Sequence, residues 1–331
     1  MSAWLRFALT CSVALVTLLV VGGLGLKHGM LQAGWPQIAD ALTGSSQEPL
    51  ALVVRELRLP RFLVGALVGA ALAVAGCSMQ ALTRNPLADP TLTGVVSGAA
   101  LAVVTATLLF PELPTTWYPW CALAGGFASA ALSLALAWRD RLSPTRLALA
   151  GMTVAALASA VITALLMRAG PQAGPLFYWL SGGLAGRGWP QFSVIWPWAL
   201  AGIAATLATC RVLDIMQLGD DTAESLGVQL GRWRLWHGLA AVALAAGVVA
   251  VAGPVGFVGL AVPHLARLLV GSAHVRLLPA AALLGAALVC GADLLARTLA
   301  APRELPLGFL TALFAAPFFI ALARRVRGEV G

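Results

Sequence analysis

Charged side chains are scarce in this sequence. They make up 10% of its 331 residues, against 60% hydrophobic residues, and only 13 residues are acidic. A soluble helical protein would show polar residues along one face of each helix, at the helical period. The long apolar runs of this chain have no such face. The composition therefore excludes a soluble globular protein.

Lysine is nearly absent, because Lys27 is the only one in the chain. A phosphate-binding loop of the form GxxxxGK[ST] requires a lysine after a glycine-rich turn, and Lys27 is followed by His28 instead. Any ATP that drives this protein must therefore be bound by another polypeptide. A membrane-embedded enzyme would need clustered polar residues, which the apolar runs lack. We expect no catalytic activity and no permanently bound cofactor.

The cysteines and histidines do not form a metal-binding pattern. The five cysteines lie within or at the ends of apolar runs, without CxxC spacing, which disfavours a metal site or a disulfide set. None of the four histidines is placed as an iron ligand (His28, His237, His264 and His274). The formal charge of +8 comes from arginines that flank the apolar runs, so we do not expect nucleic acid as a partner.

The sequence contains apolar runs of the length that crosses a membrane. A helix needs about 20 apolar residues to span the hydrocarbon core of a bilayer. The run from 235 to 270 is too long for one span, and Gly253-Pro254 breaks it, because proline removes a backbone donor and clashes with the preceding turn. The ten predicted spans are 7–26, 62–83, 91–110, 117–138, 146–167, 190–210, 235–252, 256–270, 277–300 and 305–325.

The arginine distribution gives an orientation. With ten spans both termini lie on one side of the membrane, and placing them in the cytoplasm puts 13 basic residues inside and 8 outside. This follows the positive-inside rule. We therefore expect a multi-pass protein of the bacterial inner membrane, surrounded by lipid, with both termini cytoplasmic.

Ionisable residues within the spans are few. Asp293 and Arg297 lie four residues apart and so on the same helix face, which predicts a neutralised pair near the outer end of the ninth span. A secondary transporter driven by an ion gradient would need a series of carboxylates or histidines across the membrane. This alternative is weakened but remains open.

The segment 217–231 lies on the predicted cytoplasmic side. Gly219 precedes a short predicted helix with acids in its first turn, and Gly227 can end it. Such a helix either offers a surface to a soluble partner or serves as an ordinary connector. The residues alone leave both readings open.

Several motifs together resemble one family. They are RLPR at 58–61, GAALAVAG at 69–76, MQAL at 79–82, RNPLADP at 84–90, LGDDTAESLGV at 218–228, GPVGFVGLAVPHLAR at 253–267, ADLLAR at 292–297, and ELPLG with APFF near the C-terminus. In this order they are similar to FecCD-type permeases, the membrane subunits of ABC importers for iron chelates and cobalamin. The resemblance implies an all-α, ten-helix fold of the type II ABC importer class. It also implies a homodimer with two ATPase subunits and a periplasmic substrate-binding protein.

The resemblance also implies roles for particular residues. Arginines that receive acidic residues of the binding protein correspond to Arg58, Arg61 and Arg297; snorkelling anchors are the alternative for Arg58 and Arg61. The residues that contact or shape the ATPase-coupling helix correspond to Gly219, Asp220, Glu224 and Leu226. The cytoplasmic gate corresponds to Asn85, Leu87, Ser143, Pro144 and Thr145. Pro144 fixes a backbone angle in the middle of the second gate segment.

The substrate is the least determined feature. Ferric siderophores, haem and cobalamin all suit this family. Arg168 and Arg187 flank a predicted outer segment that contains Tyr178 and Trp179, and these four residues are candidates for guiding the propionates of haem. Haem is the favoured substrate on this basis, with a siderophore second and cobalamin third.

Overall fold

All the regular secondary structure in the described part of the chain is helical. The computed structural model describes residues 2–29, 31–46, 48–137, 144–170, 173–301 and 303–315. Its α-helices are α1 (Ala3–Lys27), α2 (Trp35–Thr43), α3 (Pro49–Val53), α4 (Leu59–Thr83), α5 (Val95–Leu109), α6 (Tyr118–Ala137), α7 (Pro144–Ala169), α8 (Ala173–Leu180), α9 (Trp189–Ala208), α10 (Cys210–Gln217), α11 (Asp220–Ser225), α12 (Leu230–Ala252), α13 (Val258–Val270) and α14 (His274–Thr298). A final described segment is helical over 307–315.

Most of the predicted spans are helices with similar bounds. Seven of the described helices are long and apolar enough to cross a membrane, and α5 and α13 are shorter apolar helices. The tenth predicted span, 305–325, is helical over 307–315, and its remainder lies outside the described residues. One difference is at α12, which begins at Leu230 rather than at 235. Its first five residues can include Arg232 and Arg234 because charged side chains are tolerated where a helix leaves the membrane.

Helix α4 is the centre of the structure. It packs against α14, α12, α9 and α13, and glycines allow two of these helices to approach it closely. A Cβ atom built on Gly69 would lie 2.1 Å from the carbonyl oxygen of Gly285 on α14, and one on Gly76 would lie 1.9 Å from that of Gly259 on α13. Small residues permit such backbone contact between membrane helices.

The predicted break at Gly253-Pro254 is confirmed. Helix α12 ends at Ala252, Gly253 has a φ of 69°, and α13 begins at Val258. The backbone around the break bonds to neighbouring segments, with Gly183 N donating to Ala252 O at 2.8 Å and Leu307 N to Gly182 O at 3.1 Å. Non-helical backbone within a membrane protein needs such internal partners.

The long segment before α4 is more ordered than the sequence indicated. The predicted short helix after Trp35 is confirmed as α2. Helix α3, which was not predicted, continues through a π-helical turn at Val54–Arg58 directly into α4. This extension places Arg58 next to the end of α1, where its side chain bonds backbone carbonyl oxygens.

Candidate functional site

Two groups of charged residues lie at opposite ends of α4. The first, here called the Arg61 cluster, comprises Arg61, Asp293, Arg297 and Glu304. Arg61 donates from Nη2 to Asp293 at 2.7 Å and to Glu304 at 2.9 Å, and from Nε to Asp293 at 3.0 Å. One guanidinium from the first turn of α4 therefore joins the last turns of α14 to the segment that follows it.

The predicted ion pair of Asp293 with Arg297 is present, but Arg61 is the closer partner of Asp293. Arg297 Nε lies 3.8 Å from Asp293 Oδ2 and forms no hydrogen bond, whereas Arg61 binds both carboxylate oxygens. The side chains of Arg61 and Asp293 are only 12% and 6% exposed. Arg61 is the closer partner because the antiparallel packing of α4 and α14 brings its guanidinium directly opposite the Asp293 carboxylate. Spacing along one helix cannot reveal that geometry.

Glu304 was missed as a site residue, although it opens the ELPLG motif. Burial raises the pKa of its carboxyl, but the hydrogen bond from Arg61 and the charges of Arg61 and Arg297 outweigh burial. The pKa of Glu304 therefore lies below its ordinary value. Glu304 remains ionised and shares Arg61 with Asp293.

Arg58 is turned inward rather than toward a surface. Its side chain is buried and donates to the carbonyl oxygens of Leu26 at 2.7 Å and Lys27 at 3.1 Å, and also to that of Leu31. These carbonyls end α1 and begin the following loop, and a guanidinium is well suited to satisfy them. These bonds hold the Arg58 guanidinium inside the protein, which favours a structural role over snorkelling. Docking of a binding protein by Arg58, Arg61 and Arg297 stays a prediction.

The Arg61 cluster supplies a stability prediction. We expect Asp293→Ala to destabilise the protein by about 3 kcal/mol, because removing one partner of a buried pair leaves an uncompensated charge. Arg61 would keep Glu304, but Arg297 would lose the only carboxylate within 4 Å among the described residues. The check is the apparent melting temperature of the detergent-purified protein, followed by size-exclusion chromatography after heating.

Glu304→Ala is the matched comparison. The Glu304 side chain is 31% exposed, and Arg61 would keep the more deeply buried Asp293, so a smaller loss of stability is expected. An equal or greater loss on removing Glu304 would show that Asp293 is not the principal partner.

A cavity of about 240 Å³ lies near this cluster. Three of the four predicted substrate-guiding residues meet there. The cavity is lined by Pro175, Tyr178, Trp179, Gly183, Ala185 and Arg187. Arg168, the fourth predicted residue, is exposed in the last turn of α7 and does not line the cavity.

The second group, the Asp220 cluster, comprises Arg84, Asp220 and Arg234 at the other end of α4. Arg84 ends α4 in the left-handed conformation and donates from Nε to Met216 O at 3.0 Å. It also bonds Asp220 Oδ1, which accepts from Arg234 Nη2 at 2.7 Å. Burial raises the pKa of Asp220, but the bonds to Arg234 and Arg84 outweigh it and hold that pKa below its usual range.

The predicted short helix at 217–231 is confirmed as α11. It follows Gly219, which has a φ of 115°, and the chain turns at Gly227, which has a φ of 80°. Ala223 is fully buried against Met216 and Leu230. Glu224 and Leu226 are exposed, and Leu226 is 60% exposed. One face of α11 is thus anchored and the other is free to meet a partner.

Helix α10 is held to a third membrane helix. Asp214 accepts from the backbone N of His274 at 2.9 Å and lies 2.6 Å from its Nδ1 atom. Burial raises the pKa of Asp214, but the bonds and charge of His274 outweigh it and lower that pKa. The α10–α11 unit is therefore tied to the ends of α4, α12 and α14 by Arg84, Arg234 and His274, respectively.

The predicted gate residues are only partly described. Asn85 Oδ1 accepts from Leu87 N at 2.9 Å, which shapes the turn after Arg84, and both side chains are exposed. Ser143 lies outside the described residues, and Pro144 and Thr145 begin α7. Asp89, which was missed, is buried and caps the 3₁₀ turn at Pro90–Thr93 through Thr91 N at 2.7 Å. Burial raises the pKa of Asp89.

Comparison with known proteins adds independent information. A model of the FecCD transport family matches residues 15–325. The chain is 40% identical over 317 residues to the Fe(3+) dicitrate transport system permease protein FecD of Escherichia coli strain K12, covering 95% of this chain and 98% of the relative. It is 39% identical over 321 residues to the Fe(3+)-citrate import system permease protein YfmD of Bacillus subtilis strain 168, covering 95% and 94%.

The chain is also similar to a permease for a different substrate and to a solved structure. The chain is 40% identical over 296 residues to the cobalamin import system permease protein BtuC of Halobacterium salinarum, covering 88% of this chain and 79% of the relative. A solved metal-chelate type ABC transporter in an inward-facing conformation superposes with a TM-score of 0.84 at 29% identity, covering 95% and 98% of the two chains.

Proposed function

This chain belongs to the FecCD transport family, and we propose that it is the multi-pass membrane permease of an ATP-driven importer for an iron chelate. The family relationship extends over nearly the whole chain. The main structural support for this mechanism is the arrangement of α10 and α11. The α10–α11 unit presents exposed Glu224 and Leu226 on one side and is bonded to three long apolar helices on the other.

This geometry supports coupling to separate ATPase subunits. The chain has no phosphate-binding loop, so the energy of ATP must enter through contact with another polypeptide. A force on the exposed face of α11 would reach α4 through Arg84 and α12 through Arg234. The assembly we propose has two copies of this permease, two ABC ATPases at the Asp220 end and a substrate-binding protein at the opposite end. Both termini then lie in the cytoplasm of a bacterial cell.

The Arg61 end has an excess of cations. Four arginines lie at this end, Arg58, Arg61, Arg187 and Arg297. Among the described residues, Asp293 and Glu304 pair with Arg61, Asp293 also pairs with Arg297, and Glu56 pairs with the neighbouring Arg55. A positive surface attracts an acidic partner and accelerates docking even when individual arginines are engaged internally. We therefore propose that Arg58, Arg61 and Arg297 assist docking of the binding protein mainly through the positive electrostatic potential that they create, rather than through direct ion pairs.

The substrate we propose is a ferric chelate that carries carboxylates. Two of the relatives described above are Fe(3+)-citrate permeases, and citrate complexes are anionic. Haem, favoured by the sequence analysis, also carries carboxylates as propionates and stays the second candidate. Other siderophores and cobalamin follow.

Reconstitution tests this function. The permease, its ATPase and its binding protein are placed in proteoliposomes, and uptake of radioactive iron citrate is followed with ATP supplied on the Asp220 side. We expect uptake only with hydrolysable ATP, with a non-hydrolysable analogue as the control. Uptake driven by a proton or sodium gradient, without nucleotide, would overturn the proposal in favour of a secondary transporter.

A further inference from the structure

Arg187 is a cation without an acidic partner. Among the described residues no carboxylate lies within 4 Å of its guanidinium, whereas nearby Arg61 binds two. Its Nε atom is buried and has no hydrogen-bond partner. Leaving a buried charged donor unsatisfied is costly. The site is therefore arranged for an acceptor that arrives from outside.

Arg187 and its neighbours retain the charge and donors that such an acceptor needs. Burial, followed by the charge of Arg61, lowers the pKa of Arg187, but a guanidinium remains protonated in proteins. Burial and the charge of Glu304 raise the pKa of Tyr178, so its hydroxyl stays protonated and available as a donor. The two side chains line the same cavity, and Trp179 provides an aromatic wall.

The cavity is small and rigidly supported. Its volume of about 240 Å³ is below the range of about 300–1,000 Å³ that encloses a whole small ligand, so it fits one arm of a larger molecule. The backbone beneath it is fixed by bonds from Gly183 N to Ala252 O and from Leu307 N to Gly182 O. Tyr178 is exposed, which leaves the cavity reachable from the surface.

We propose that Arg187 and Tyr178 form a carboxylate-binding subsite that receives one carboxylate arm of the iron chelate at the Arg61 end. The inference rests on the proposed function and deepens it by naming the chemical group that is recognised. A guanidinium pairs with a carboxylate through charge-assisted hydrogen bonds. Citrate and haem propionates supply such a group. Cobalamin, whose side arms are amides, would gain much less from it.

The test begins with direct binding. Permease in lipid nanodiscs is titrated with ferric citrate, and quenching of tryptophan fluorescence reports binding, with Trp179→Phe used to assign the signal. Arg187→Gln should weaken binding about tenfold, which corresponds to about 1.4 kcal/mol, and Arg187→Lys should weaken it less. The matched control is Arg303→Gln, since Arg303 is an exposed arginine near the same end. It should bind like the unmodified protein.

Transport measurements then distinguish failure of the subsite proposal from failure of the proposed function. In proteoliposomes, Arg187→Gln should raise the KM for ferric citrate about tenfold and change the maximal ATP-driven rate less than twofold. If binding depends on Arg187 but ATP drives no uptake, the subsite stands and the proposed function fails. If uptake is ATP-driven and Arg187→Gln matches the unmodified protein in both assays, the subsite is refuted.

The same variant identifies the source of the carboxylate. An acidic residue of the binding protein carries the same group as the chelate. Affinity of the substrate-free binding protein for the nanodisc permease should change less than twofold in Arg187→Gln, because Arg58, Arg61 and Arg297 keep their charges. Loss of that affinity, with chelate binding intact, would overturn the assignment to substrate.

Discussion

Asp220→Ala is expected to reduce ATP-driven uptake at least tenfold while the partner ATPases continue to hydrolyse ATP. The Asp220 carboxylate is the shared acceptor of Arg84, at the end of α4, and Arg234, near the start of α12. Without it, α11 loses its ionic link to both membrane helices, so movement of the ATPases is transmitted to them less efficiently. The measurement is the ratio of iron transported to ATP hydrolysed in proteoliposomes.

The expected defect is mechanical rather than a loss of folding. The side chains of Asp220, Arg84 and Arg234 are 45%, 37% and 32% exposed, and ion pairs exposed to this degree contribute about 0–1 kcal/mol each. Ala223 would still anchor α11 among buried apolar residues. The apparent melting temperature should therefore change little.

Three further variants make the prediction specific. Asp221→Ala removes the neighbouring exposed carboxylate and should leave the transport ratio nearly unchanged, whereas Asp220→Glu should recover part of it. Arg84→Gln and Arg234→Gln should each cost less than Asp220→Ala, and the double variant should equal it, as expected for one coupled unit. A normal ratio of transport to hydrolysis in Asp220→Ala would remove Asp220 from the coupling route.

Gly76→Ala is expected to have the largest effect on stability. The added Cβ atom would lie 1.9 Å from the carbonyl oxygen of Gly259 and 2.6 Å from its Cα atom. These are backbone atoms, so no side chain can rotate away, and α4 and α13 must separate. Overpacking of a core commonly costs about 1–3 kcal/mol; a rigid contact between two backbones should reach about 3 kcal/mol or more.

A second glycine serves as the control. A Cβ atom on Gly291 of α14 meets nothing within 4 Å, and alanine favours a helix over glycine by about 1 kcal/mol. Gly291→Ala should therefore melt at or slightly above the temperature of the unmodified protein. Detergent-purified variants are compared by the fraction that stays monodisperse after heating. If Gly76→Ala survives as well as Gly291→Ala, close approach at Gly76 is not required.

The family and the positions of the helices could largely be predicted from the sequence. The Gly253-Pro254 break and the glycines that flank α11 act locally, and the structure confirms both. Apolar length predicted ten spans, of which seven are described helices long enough to cross a membrane, and the count of ten stays a prediction. The family expectation is confirmed by a match over residues 15–325. The chelate carried, the homodimer and the orientation of the termini stay predictions.

The contacts of the charged residues could not be predicted from the sequence. Asp293 was assigned to Arg297 because spacing within one helix is the proximity that a sequence shows, yet Arg61 on α4 is its main partner. Asp220 was expected to contact the ATPase or to shape the coupling helix, and the sequence did not reveal that it binds two arginines of its own chain. Its contact with an ATPase stays a prediction. Glu304 was missed because nothing near it in the sequence indicates Arg61.

The sequence by itself determined that this is a membrane protein of many spans without a GxxxxGK[ST] motif, where its chain breaks, and that a short helix follows Gly219. These properties depend on the length of apolar runs and on the backbone preferences of glycine and proline, which a few neighbouring residues decide. Only the tertiary structure decided which arginines are satisfied and which, Arg187 and Arg297, keep a buried Nε atom without a hydrogen bond, and of these two only Arg187 has no carboxylate within 4 Å among the described residues. A buried charge takes whatever opposite charge the helix packing brings within reach, and that partner lies anywhere along the chain.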